Sequence, residues 1–198
     1  MAQEIASLLD SIQVKEPAMI AGLSMGGYVA LEFFRQFPER VKALGLFSTK
    51  AVADTPEARE KRLKTAEQIR QGGLEAFAKT MAPNLVGKSP LQSNPLLVRE
   101  IKDMITSNKP EGVAAALLAM AERSDSTGLL GSIKCPTLII AGDEDTLIPF
   151  LEAETMHRQI AGSQLHILPA AGHLVNLEQP EAFQKIFEKF LVQKLYGL

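Results

Sequence analysis

The chain opens on a helical pattern. Ile5, Leu8, Leu9 and Ile12 recur at i, i+3, i+4 and i+7, which places them on one face of an amphipathic helix. The run Pro17-Ala18-Met19-Ile20-Ala21-Gly22-Leu23 is instead apolar on both faces, as strands covered on both sides of a parallel sheet are. Residues 25–37 return to helix, with Tyr28, Val29, Leu31, Phe33 and Phe34 apolar, and Pro38 ends it. Val41 to Phe47 reads as a second buried strand. Strand, helix and strand in this order predict a βαβ unit.

From residue 52 to 127 no convincing strand occurs. Thr55-Pro56-Glu57 supplies an N-cap, a proline at the first helical position and an early acid. Gly72-Gly73 stops that helix, and further helices fit 74–81, 95–106 and 110–123. The alternation then resumes. Pro136 to Ala141 is a third buried strand, 150–160 a helix, Gln164 to Leu168 a fourth strand, and 180–194 a closing amphipathic helix. The pattern predicts an α/β fold, a parallel sheet with helices on both faces, formed by 1–51 and 129–198. An all-helical insertion over 52–128, of the size of a cap, divides the two parts.

Composition narrows the partners. The chain has 198 residues, enough for one well-buried domain, and is 46% hydrophobic and 22% charged, an ordinary soluble globular balance. The net charge is −2 with both signs interspersed, so nucleic acid is not an expected partner. The longest apolar runs, such as Val113 to Ala121, fall well short of the roughly 20 residues a membrane span needs. One cysteine, Cys135, excludes an intrachain disulfide and is expected to be a buried structural thiol. With one thiol and three histidines no zinc site is expected. Met1-Ala2-Gln3-Glu4 lacks the positive start of a signal peptide, which fits a cytoplasmic protein.

The segment with chemical character is Gly22-Leu23-Ser24-Met25-Gly26-Gly27. A serine hydroxyl is a weak nucleophile until a base takes its proton and a sharp turn presents it clear of the sheet. A predicted strand before Ser24, a helix after it, and glycines two before and two after meet the demand for presentation. The N–H of Met25, at the helix start, would face developing negative charge. A glycine-rich turn that merely packs tightly shares the pattern, so partners are required. An acid should follow a later strand and a histidine a later one still. Gly142-Asp143-Glu144-Asp145 follows the third predicted strand, and Pro169-Ala170-Ala171-Gly172-His173 follows the fourth. His173 is the candidate base and Asp145 the candidate acid that orients it, with Asp143 in reserve. His157 lies within a predicted helix and His166 within a strand, which makes both weaker candidates.

With these residues in place, the sequence resembles the α/β-hydrolase superfamily. It is similar to the 3-oxoadipate enol-lactonase and haloperoxidase-type esterase branch, through 22–46, PTLIIAGDEDTLIP (136–149) and PAAGHLVNLEQPEAF (169–183). The resemblance implies a Ser24–His173–Asp145 triad, an acyl-enzyme, no cofactor or metal, and a small-molecule ester, lactone or thioester as substrate. Phe77, Met81, Met104 and Met120 of the insertion are candidate pocket liners. Some relatives place the acid after the strand before the cap, where Asp54 is a poor candidate. Such enzymes also carry several strands and an early oxyanion loop ahead of the nucleophile strand, and these have no counterpart before Ala18. The expectation is therefore an N-terminally incomplete sequence, with one apolar edge of strand 18–23 open and one oxyanion donor unassigned. A non-catalytic, ligand-binding or inactive fragment of such a hydrolase is the alternative. The sequence carries no signal of oligomeric state.

Overall fold

The structure is a computed structural model that describes residues 1–196. Its centre is a four-stranded, all-parallel sheet in the order β1 (Ala18–Leu23), β2 (Val41–Phe47), β3 (Thr137–Gly142), β4 (Gln164–Leu168). The period-2 alternation of the strands divides the core in two. Leu44, Leu46, Ile139 and Ala141 face a layer formed by α1 (Ala2–Ser11), α2 (Met25–Gln36) and α8 (Leu151–Gln159). Ala43, Phe47, Leu138 and Ile140 face α9 (Val175–Glu178) and α10 (Pro180–Leu191). Phe47 meets Phe183 edge-on at 5.0 Å between ring centroids, and Phe183 stacks on Phe187, which fixes α10 to the sheet.

Strand β1 departs from its expected burial. Ala21 is exposed, and Met19, Ile20 and Leu23 are only half-buried, whereas every residue of β3 is buried. The reason is position: among the described strands β1 pairs with β2 alone and forms the edge, as expected of an open apolar flank. Cys135 is also half-buried rather than buried. It packs on the rim of the core, where burial still pushes its thiol up from the usual range.

Between β2 and β3 the chain is helical: α3 (Pro56–Gln68), α4 (Leu74–Asn84), α5 (Lys88–Ser93), α6 (Pro95–Thr106) and α7 (Pro110–Ala121). Thr55 caps α3 by accepting the Ala58 N–H, and Gly72, at φ 92°, makes the turn between α3 and α4. The segment has small cores of its own. Ala66, Ile69, Leu74, Ala114 and Leu117 form one, and Ala82, Val86, Leu97 and Ile101 another. Helix α5 is not expected from the sequence, because Lys88-Ser89-Pro90-Leu91-Gln92-Ser93 has no apolar period.

The two places where the chain crosses between sheet and helical segment lie side by side. The Ser126 N–H donates to Ala51 O at 2.9 Å, and the Ala53 N–H to Asp125 Oδ2 at 2.9 Å. Arg35 of α2 reaches across to Asp125 O and Ser126 Oγ. Among the described residues no helix is long and apolar enough to cross a membrane.

Candidate active site

Ser24 stands between β1 and α2 with φ 53° and ψ −114°, a conformation rare for a residue with a side chain and costing about 1–3 kcal/mol. Its neighbours enforce it. A Cβ on Gly22 would stand 2.0 Å from Gly26 C, so strand and helix cross as closely as bare backbone allows. The Ser24 N–H donates to Phe47 O at 2.8 Å, and Thr49 Oγ1 donates to Ser24 O at 2.8 Å. Of the two glycines the sequence spacing suggests, only Gly22 is tight. A Cβ on Gly26 would meet open space, whereas one on Gly27 would stand 2.4 Å from Thr49 Oγ1. The second demand comes from the exit of β2, a contact that local spacing does not encode. In the first turn of α2 the N–H groups of Met25 and Gly26 have no carbonyl partner among the described residues, as at any helix start.

The acid and the base meet. His173 Nδ1 lies 2.7 Å from Asp145 Oδ2, and the two side chains are 3% and 0% exposed. The other carboxylate oxygen, Oδ1, accepts the N–H groups of Leu147 at 2.9 Å and Ile148 at 3.0 Å. Asp145 is thus saturated and oriented by its own loop. With an ionised Asp145 accepting from Nδ1–H, the imidazole presents Nε2 as an acceptor. Asp143 is exposed and does not take this role. Ser24, Asp145 and His173 follow β1, β3 and β4, so all three stand at the carboxyl edge of the sheet, where open α/β sheets bind ligands.

Neither Ser24 Oγ nor His173 Nε2 has a hydrogen-bond partner among the described residues. Among the described residues the one buried side-chain polar atom left unpaired is Ser48 Oγ. Ser48 follows β2 at φ 42° and is itself buried. The other histidines serve elsewhere: His157 on α8 is exposed and paired with Ser163 Oγ, and His166 in β4 is half-buried. Among the described residues no group of three or more His, Cys, Asp or Glu is placed to hold a metal ion.

A cleft of about 420 Å³ adjoins the turn, lined by Met25, Tyr28, Val29, Lys50, Met120 and Arg123 among others, though not by Ser24 or His173. Of the pocket residues expected from sequence, Met120 lines this cleft. Phe77 packs in the core between α3, α4 and α7, Met81 is half-buried on α4, and Met104 is 48% exposed on α6.

One wall of the cleft rests on a buried ion cluster. The Asp54 side chain, 2% exposed, accepts from Arg62 Nε at 2.5 Å and Arg123 Nη1 at 2.8 Å. Arg123 also donates to Val52 O and Met120 O and lies 4.2 Å over the Tyr28 ring. Burial works to raise the Asp54 carboxyl. The hydrogen bonds from Arg62 and Arg123 outweigh it and hold the group below the ordinary range. For Tyr28 burial wins over the two guanidinium groups, and the phenol is pushed up. Asp54 is therefore a structural anion, and linkage fixes its sign. A carboxyl depressed in the folded state contributes stability that is complete above about pH 4 and lost as pH falls through its folded value. Asp54→Asn strands two guanidinium groups and should cost about 3–5 kcal/mol in a thermal melt at pH 7. The variant should also lose stability less steeply than the parent below pH 4. Equal acid slopes would refute the assignment.

The fold and this geometry define the class. Residues 1–180 match the alpha/beta hydrolase fold family, and the chain belongs to it. It is 42% identical to a thermophilic esterase from Thermogutta terrifontis, solved with malate bound. That match covers 97% of this chain and 71% of the esterase, at a TM-score of 0.94. It is 30% identical to the pimeloyl-[acyl-carrier protein] methyl ester esterase of Neisseria meningitidis, over 95% of this chain and 75% of that protein. It is 29% identical to 3-oxoadipate enol-lactonase 2 of Acinetobacter baylyi, over 95% of this chain and 68% of that protein.

Proposed function

We propose that this α/β-hydrolase cleaves a small-molecule carboxylic ester, lactone or thioester through an acyl-enzyme on Ser24. His173 Nε2 takes the Ser24 proton as Oγ attacks the carbonyl, then returns it to the leaving group. Asp145 holds the imidazole in the required tautomer and stabilises its cation. The Met25 N–H supports the oxyanion, and water resolves the acyl-enzyme. The observation that carries the reading is the buried 2.7 Å contact of His173 with Asp145, on the same sheet edge as a serine held at positive φ. Relatives named as esterases and an enol-lactonase support the substrate class. The segment 52–128 would act as the cap. Met120, which lines the cleft, and Phe77, which packs against the same small core, would shape its floor.

A fluorophosphonate probe should label the chain at Ser24, and p-nitrophenyl esters of increasing acyl length, with an enol-lactone beside them, should rank its substrates. A folded chain that shows no Ser24-dependent labelling would instead be a binding protein.

A further inference from the structure

Two acids at the carboxyl edge of the sheet, Glu144 and Glu178, touch neither Ser24 nor the imidazole, yet both collect backbone N–H groups beside the Asp145–His173 pair. Glu178 Oε2 accepts from Gly172 N at 2.8 Å and from Gly87 N at 2.7 Å, and Oε1 accepts from Leu174 N at 2.9 Å. The residues on either side of His173 are thus held by one carboxylate, which also binds an amide of the helical segment, 91 residues from Glu178 in sequence.

 

The base itself is fixed from the same place: the N–H groups of His173 and Leu174 both donate to Leu85 O, at 3.2 and 3.3 Å. The acid loop is tied to it as well. Glu144, the residue before Asp145, accepts Ser89 N at 2.7 Å and Ser89 Oγ at 2.5 Å, and its own N–H donates to Ala171 O at 2.8 Å. Glycines make the approach possible. A Cβ on Gly172 would stand 2.2 Å from Gly87 N, and one on Gly87 would stand 2.7 Å from Glu144 Oε2.

We propose that Glu178 is the positioning residue of His173, acting through the backbone on either side of it and coupling it to residues 85–89 of the cap. This role rests on the reading of His173 as the base. A simple turn-closing role for Glu178 in the short α9 would need only the Leu174 N–H. The bond to Gly172 lies outside α9, and the bond to Gly87 reaches the N-cap residue of α5 in the helical segment. Glu178 offers two acceptor oxygens to three converging donors, and ionised acceptors make the stronger bonds. An amide in its place has one acceptor and brings N–H donors of its own, so at least one of the two amides flanking His173 loses its carboxylate partner.

The test is Glu178→Gln in the 198-residue chain, read in three ways. The melting temperature establishes that the variant folds. The downfield proton NMR resonance of His173 Nδ1–H, the signature of its short bond to Asp145, should broaden or move upfield. The rate of fluorophosphonate labelling at Ser24 should fall about 10- to 100-fold, as displacement of a catalytic group by a fraction of an ångström to an ångström does. A folded variant with the parent's resonance and a labelling rate within about twofold of the parent's overturns the proposal. If the parent itself is not labelled, the hydrolase reading fails, and the resonance alone decides the positioning. If the variant does not fold, hydrogen exchange in the parent decides. Protected Gly87, Gly172 and Leu174 amides support the proposal, and exchange as fast as in free loop amides overturns it.

Discussion

Ser24→Ala is expected to lower kcat for any ester the chain hydrolyses by about 10⁴- to 10⁶-fold, while leaving its melting temperature near that of the parent. The hydroxyl makes no hydrogen bond among the described residues, so its removal leaves no stranded partner. The backbone strain stays, because alanine is no more at ease than serine at φ 53° and ψ −114°. Ser24→Gly separates the two contributions. It removes the nucleophile equally but relieves about 1–3 kcal/mol of strain, against about 0.5–1 kcal/mol of added freedom in the unfolded chain. The glycine variant should therefore be as inactive as the alanine variant and melt at the same or a higher temperature. Steady-state kinetics with a p-nitrophenyl ester and a thermal melt read both. More than a tenth of the parent's activity in either variant would remove Ser24 from the mechanism.

Asp145→Asn should cost about 10⁴-fold in kcat, for a reason the hydrogen bonds make specific. The Leu147 and Ile148 N–H groups need an acceptor, so the new amide must turn its oxygen to them. Its NH₂ then faces His173 Nδ1. The imidazole is forced to accept there and to carry its proton on Nε2, the wrong tautomer for a base. The fold keeps its two loop hydrogen bonds, so the loss should fall on kcat far more than on KM. A kcat within about tenfold of the parent would mean that Asp145 does not orient the base.

The elements and the three candidate catalytic residues were legible in the sequence because each rests on local chemistry. Short runs apolar on both faces mark the strands, and period-3.6 patterns mark the long helices. Gly22 and Ser24 between a strand and a helix gave the turn, and strand-then-loop order gave Asp145 and His173. What escaped depends on distant contacts. The partner of Gly27 is Thr49, and the partners of Asp54 are Arg62 and Arg123. Glu178 looks like an ordinary surface acid until Gly87 arrives beside it. Helix α5 has no period to read. The half-exposed β1 looks like its buried neighbours in composition, since apolar residues do not reveal whether a strand is central or at an edge.

The adjacency of Ala51 and Ser126 bears on how the sheet assembles. Leu44 of β2 pairs with Thr137 of β3 across the entire helical segment, a loop whose closure in a random chain is entropically costly. Once α3 to α7 have packed on one another, the Ser126–Ala51 bond brings the two ends of that loop together, and the loop behaves as a short connection. The packing of the helices thus helps hold the two halves of the sheet together, and a substitution in their private cores is expected to weaken β2–β3 pairing without touching either strand.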